Sequence, residues 1–131
     1  SGIGMLLLLD NAPERYLPLC ATTKAEGIAQ AEHDAFQANH AELGAYLLGL
    51  WGFADSVVEA VLLQLHPSAS PATLPSPLTY VHLARAYGPA IPFLGPQPLQ
   101  ERLALDGLYS NRLGLSALCG AAQKLQEEYI P

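Results

Sequence analysis

This sequence predicts an all-α domain, and three observations carry that reading. Leu (25 copies) and Ala (20 copies) dominate, while Val, Ile and Thr together supply 12 of the 131 residues; helices favour the first pair and strands the second group. Apolar residues recur at three- and four-residue steps, the helical period. Gly and Pro punctuate the chain between those stretches.

The elements follow in order. Ile3 to Leu9 reads as the end of a buried helix, stopped by Asp10-Asn11-Ala12-Pro13. Pro13 opens the next helix, because a first turn tolerates its missing N–H; it is expected to run to about Ala25 and end at Gly27. Ile28 to Phe36 is a third. Asn39 with Glu42 three residues later forms a capping box, and the helix behind it runs to Trp51 and stops at Gly52. His40, Leu43, Gly44, Leu47 and Trp51 are expected to share its inner face. Ser56 and Glu59 repeat the capping pattern before Val57 to Leu65, apolar nearly all round and so expected to be central. Pro67 to Pro77 holds four prolines and reads as a mobile loop. Ser76-Pro77 caps a helix through Tyr87, closed by Gly88-Pro89. A second Pro-rich loop covers Pro89 to Pro98. Leu99 to Leu105 and Leu108 to Leu113 are short helices. Ser116 to Tyr129 is the last, with Leu118, Leu125 and Tyr129 as its expected inner stripe.

Half of the residues are apolar and 14% are charged, against a usual ~25% charged. Global disorder is excluded, and residues 1–131 are expected to form one domain. Twelve acidic residues against six basic ones leave a net charge of −6, with no basic stripe to neutralise phosphates, so nucleic-acid binding is disfavoured. No apolar run approaches the ~20 residues of a membrane span. Met5 to Leu9 lacks the basic flank and cleavage site of a signal peptide. Cys20 and Cys119 are far apart without a CxxC and read as small buried hydrophobes. A cytoplasmic protein is the expectation. The abrupt apolar start at Ser1 suggests a trimmed or partial domain.

Few residues offer chemistry. His33, His40, His66 and His82 form no HExxH and no zinc-finger spacing. There is no phosphate-binding glycine loop and no GxSxG. His33, His66 and His82 read as satisfied polar contacts. His40 sits in a first helical turn, where the helix dipole disfavours added positive charge. A neutral imidazole there can take a metal or accept a hydrogen bond, so a structural role and a present or ancestral site both stay open. Gly44 and Gly49 lie inside a helix, where each costs up to ~1 kcal/mol relative to Ala; close packing is the expected reason, room for a ligand the alternative. Trp51 reads as a core plug at a helix corner, or else as an exposed anchor for a partner.

The run His40-Ala41-Glu42-Leu43-Gly44-Ala45-Tyr46-Leu47-Leu48-Gly49-Leu50-Trp51-Gly52-Phe53, continuing through Val57-Val58-Glu59-Ala60-Val61 to His66-Pro67, resembles the HDOD domain. This is the HD-related output domain of bacterial signalling proteins, kin to the HD and HD-GYP phosphohydrolases. The family pattern is HAExGAxLLxxWGLP, then IVEAI, then HHxP. Ile3-Gly4-Met5-Leu6-Leu7 looks like the tail of its HDIGxL segment, and Pro13-Glu14-Arg15-Tyr16 like the helix after it. Glu32 fits the Glu before the HAE helix, and Tyr80-Val81-His82-Leu83-Ala84 a late VHLAD-type helix. The resemblance implies an HD-like multi-helix bundle that lacks the family's N-terminal helical half. Residues 1–88 would form the HD-like core and residues 89–131 a C-terminal helical extension.

Carried over residue by residue, the metal site of the active enzymes is depleted. The HD pair falls on Ser1 and Gly2. The next histidine is kept as His40. The HH pair falls on Gln64 and Leu65; His66 is one position late, which swings a side chain by ~100° on a helix. The late Asp falls on Arg85, whose guanidinium stays charged and repels a cation. Ser68 to Pro75 offers no GYP-type loop. The resemblance therefore implies no catalytic residue, no metal and no cofactor, with His40, Gln64, Leu65 and Arg85 marking vestigial positions. It favours a non-catalytic regulatory output module, such as the output part of a response regulator. Such a module would contact other signalling proteins or domains of its own chain, with no membrane and no nucleic-acid partner; a homodimer stays open. His40, Arg85 and Trp51 are the candidate contact residues. Two alternatives stand beside it: a metal-dependent phosphohydrolase or phosphodiesterase, and a nucleotide-binding sensor in which Arg85 and His40 hold an anion.

Overall fold

The computed structural model describes residues 2–23, 27–88 and 104–129. All regular structure among them is helical: α1 (Ile3–Asn11), α2 (Pro13–Thr22), α3 (Ile28–Phe36), α4 (His40–Leu50), α5 (Asp55–Leu62), a single 3₁₀ turn (Pro67–Ala69), α6 (Pro77–Tyr87), α7 (Gly107–Leu113) and α8 (Ser116–Tyr129). The all-α expectation holds. Among the described residues no helix is long and apolar enough to cross a membrane.

α4 is the hub. It packs against α1, α3 and α5, and the layer continues from α5 to α6 and from α6 to α8. Two glycines set the α1–α4 crossing. A Cβ on Gly4 would fall 1.8 Å from the His40 carbonyl oxygen, so only glycine fits where the two backbones touch. A Cβ on Gly44 would meet Ile3, Val61 and the Gly4 nitrogen at 3.0–3.3 Å. Close packing is therefore the reason for Gly44.

Three apolar clusters run along the bundle. Met5, Leu8, Tyr16, Cys20 and Ile28 fill the space between α1, α2 and α3. Ala45, Leu48 and Val61 join α4 to α5. Ala60 and Leu78 pack with Tyr109 of α7 and Leu115 just before α8.

Several boundaries differ from expectation for local reasons. α1 runs on to Asn11, where the Asn11 side chain donates to the Leu7 carbonyl at 2.8 Å. α2 ends at Thr22, because Thr23 is already extended; residues 24–26 lie outside the described residues. The Asn39–Glu42 capping box forms as expected, and Gly52 stops the chain at φ +77°. Ser56 is not the cap of α5. Ala54 takes that place and Asp55 supplies acid to the first turn, while Glu59 accepts a hydrogen bond from the Ser70 hydroxyl at 2.6 Å. α5 also stops at Leu62 rather than Leu65, in a turn that leads to the 3₁₀ segment.

The loop expected to be mobile between Pro67 and Pro77 is pinned. Its Ser68 N–H donates to Asp106 at 3.1 Å, and Arg112 donates to the Ser68 and Ser70 carbonyls. α7 starts one residue early, at Gly107, because Asp106 caps it through the Tyr109 N–H. The Pro89 to Pro98 loop and all but the end of the Leu99 to Leu105 helix lie outside the described residues; Ala104 and Leu105 are not helical.

α8 corrects its predicted stripe. Leu118, Leu125 and Tyr129 are exposed, and no residue of α8 is buried. The half-buried positions are Cys119, Ala122 and Gln126, again at steps of three and four. Small side chains let the helix sit close, and the large ones are rotated out to solvent. The inner face of α4 is likewise rotated, to His40, Ala41, Gly44, Ala45 and Leu48. That helix is apolar on every side, so periodicity alone could not choose the face.

Candidate functional site

Four helices converge on His40. It is the first residue of α4, fully buried beneath the Gly4 crossing. Glu32 of α3, also fully buried, meets it twice. The His40 backbone N–H donates to Glu32 Oε2 at 2.6 Å, and His40 Nδ1 lies 2.7 Å from Oε1 and 3.0 Å from Oε2. A carboxylate at a helix N-terminus satisfies a first-turn N–H and suits the dipole. Nδ1 is taken up by the carboxylate, which leaves Nε2 as the ring's other nitrogen. That atom is buried and, among the described residues, has no hydrogen-bond partner.

α2 closes the site with Tyr16 and Cys20, both fully buried. Burial first, then the Glu32 carboxylate, pushes the Tyr16 phenol far above its ordinary range. Burial also pushes the Cys20 thiol up, opposed by the nearby Tyr16 hydroxyl and aided by Glu32. Phe36 packs edge-on to Tyr16 at 6.1 Å and lies under the Arg15 guanidinium at 4.6 Å.

A second polar cluster surrounds His82 of α6, which is also buried. Its Nε2 accepts the Asp106 N–H at 2.9 Å. Asp106 in turn accepts from Ser68 and Tyr109 N–H groups, both at 3.1 Å. Thr79 and Tyr109 share a hydroxyl hydrogen bond at 2.8 Å. Burial holds His82 below its ordinary value against the pull of Asp106 and the Gln64 backbone, and Arg85 adds to the lowering. For Asp106 burial works upward, yet its Ser68 and Tyr109 donors and His82 hold it below the usual carboxylate value. His82 is thus held through Nε2 alone; among the described residues its buried Nδ1 has no hydrogen-bond partner, so the contact is only half of the satisfied one expected from sequence.

Of the predicted site residues, Gln64 and Arg85 both fall near His82. His40 pairs with Glu32. Gln64 is fully buried in the turn after α5, its backbone beside His82; Leu65 is half-buried. Arg85 is half-buried in the last turn of α6, near enough to His82 to be felt as a like charge. Trp51 is 59% exposed at the C-cap of α4. It is not a core plug: the chain turns away at Gly52 and leaves the ring uncovered. His33 and His66 are exposed, Cys20 is buried and Cys119 half-buried, and both cysteines are free. Among the described residues no three His, Cys, Asp or Glu side chains converge.

Sequence reasoning missed two features. Tyr16 and Cys20 carry no motif, and only the helical step between them placed both on one face. The outer side of α4 was missed too, although a helix apolar all round in a small bundle signals an uncovered face.

The fold and these contacts define an all-helical bundle whose interior holds two polar clusters, one on His40 and Glu32 and one on His82 and Asp106. The chain belongs to the HDOD domain family, a family of signal-transduction output domains: the family's sequence model matches residues 1–67, just over half of the chain. Neither the curated proteins nor the solved structures provide a significant match.

Proposed function

We propose that this chain is a non-catalytic output module of bacterial signal transduction, acting in the cytoplasm by contact with other signalling proteins or domains, as the output part of a response regulator does. One observation carries the reading: His40, the retained position of the family's metal-ligand set, spends its Nδ1 and its backbone N–H on buried Glu32. Gln64, Leu65 and Arg85 stand where two imidazoles and a carboxylate would be needed. One free imidazole nitrogen, with an amide, an alkyl chain and a guanidinium at the other three positions, does not make the ligand set of a two-metal centre. No hydrolytic step is derived for this chain. Glu32 also weighs against an anion at His40, since the site already holds a carboxylate.

Hydrolysis of bis-(p-nitrophenyl) phosphate and of a cyclic dinucleotide, with manganese or iron added, tests the reading. The expected rate equals the metal blank, and elemental analysis finds less than one tenth of an equivalent of metal. Turnover that disappears in His40→Ala would overturn it.

A further inference from the structure

The outer faces of α4 and α5 form an open apolar groove of about 420 Å³. Tyr46, Gly49 and Leu50 of α4 face Val58 and Leu62 of α5 across it. Tyr46 and Leu50 are 69% and 66% exposed, an unusual state for large apolar side chains set side by side. A drug-sized ligand is enclosed on most sides by its pocket and met by several polar groups. This groove is open and almost wholly apolar. From Glu42 to Leu50 it spans about 12 Å, the rise of eight helical residues.

Gly49 adds an independent observation. The glycines at the α1–α4 crossing are required by contacts within the chain. Among the described residues a Cβ on Gly49 would meet nothing within 4 Å, and its φ is not positive. No packing among the described residues accounts for this helix-weakening residue. It lies in the groove lining, where the lack of a side chain lets an incoming backbone come close.

Charge selects the occupant. No Lys or Arg occurs between Lys24 and Arg85, while Asp34, Glu42 and Asp55 in that stretch are exposed; Glu32 is buried against His40 and adds nothing to the surface. Glu42 lines the groove and Asp55 opens the facing helix, exposed. Such a surface repels anionic lipid and nucleic acid and attracts cations. We infer that the α4–α5 groove is a docking site for a cationic amphipathic helix of a partner protein, seated by its apolar face with its basic residues toward the acidic rim. The inference deepens the regulatory reading and rests on it.

Trp51, the single tryptophan and the neighbour of Leu50, reports occupancy. The test titrates the full chain with an 18-residue Leu/Lys amphipathic peptide and with its Leu/Glu counterpart, following Trp51 emission and the anisotropy of labelled peptide. The Leu/Lys peptide is expected to bind and shift Trp51 to the blue, more weakly as salt rises; the Leu/Glu peptide is expected to bind at least ten-fold more weakly. Gly49→Leu fills the groove while improving the helix, so it should melt no lower than the parent yet bind at least ten-fold more weakly. Leu50→Ser should do the same, and Leu108→Ser, exposed on α7, should bind as the parent does.

Equal binding of both peptides, or full affinity in folded Gly49→Leu, would overturn the inference. So would a blue-shifted Trp51 in a peptide-free dimer, or tighter binding to phosphatidylglycerol vesicles than to peptide. Hydrolysis by the wild-type chain would remove the regulatory reading and leave these curves intact. A null peptide result alongside absent hydrolysis would remove only the groove.

Discussion

The two buried histidines form an instructive pair. His40 faces a carboxylate and uses both its ring and its backbone nitrogen to satisfy it. His82 accepts a backbone N–H and so is held in the form that carries no charge. Both are covered almost completely. What separates them is the sign of the group they meet, and that sign decides what each end of the bundle tolerates. The His40 end is built on an acidic acceptor and loses most when that acceptor goes. The His82 end is built on a neutral acceptor and loses most when a proton arrives.

Removing Glu32 is the harshest way to probe this difference. Glu32→Ala strands the fully buried His40 N–H and Nδ1, at a cost of about 3–5 kcal/mol. Urea denaturation should register it as a lower midpoint at unchanged slope. An unchanged midpoint would mean that the pair does not organise the bundle.

His82→Leu should cost less, about 2 kcal/mol, since it strands a single backbone N–H of Asp106. It should also change the pH profile. His82 in the folded chain binds its proton less readily than at its ordinary value of 6.5, so the unfolded chain takes up the proton first. Its contribution is complete above pH 6.5 and is lost as pH falls from there through the folded value. Thermal melts across pH 5 to 8 should show that decline in the parent and none in His82→Leu. Asp106 acts in a separate window, below its ordinary 3.8.

Thr79→Val is the mildest test. It removes one side of the Thr79–Tyr109 hydroxyl pair and should cost about 1 kcal/mol, measured by the same denaturation. A larger loss would place the strongest polar anchor at the His82 end and reverse the comparison.

Much of the architecture was legible in residues with strong local chemistry. Asn39 and Glu42 announced the start of α4, Gly52 its end, and Ser76-Pro77 the start of α6. The failures share one cause: tertiary contacts outweighed a weak local signal. Ser56 had the chemistry of a cap, but Gly52 set the chain direction and Ala54 took the position. Leu118, Leu125 and Tyr129 had the right spacing and size, yet Cys119, Ala122 and Gln126 let α8 approach more closely. The Pro-rich run after Pro67 looked loose because its anchors, Asp106 and Arg112, lie some 40 residues away in the sequence. His40 was visible as a candidate from its place in the first turn. Its partner Glu32 was visible through the family pattern, while the double contact between them depends on how α3 meets α4.

Tyr109 and Leu115 roof the cluster that holds Ala60 and Leu78. This makes the stretch matched by the family pattern a poor place to cut. A shortened version ending after Tyr87 would leave an oily floor facing solvent and the Ser68 loop without its moorings. Anyone grafting this domain onto a reporter should carry α7 and the start of α8 along with it, as one would keep the lid with its box.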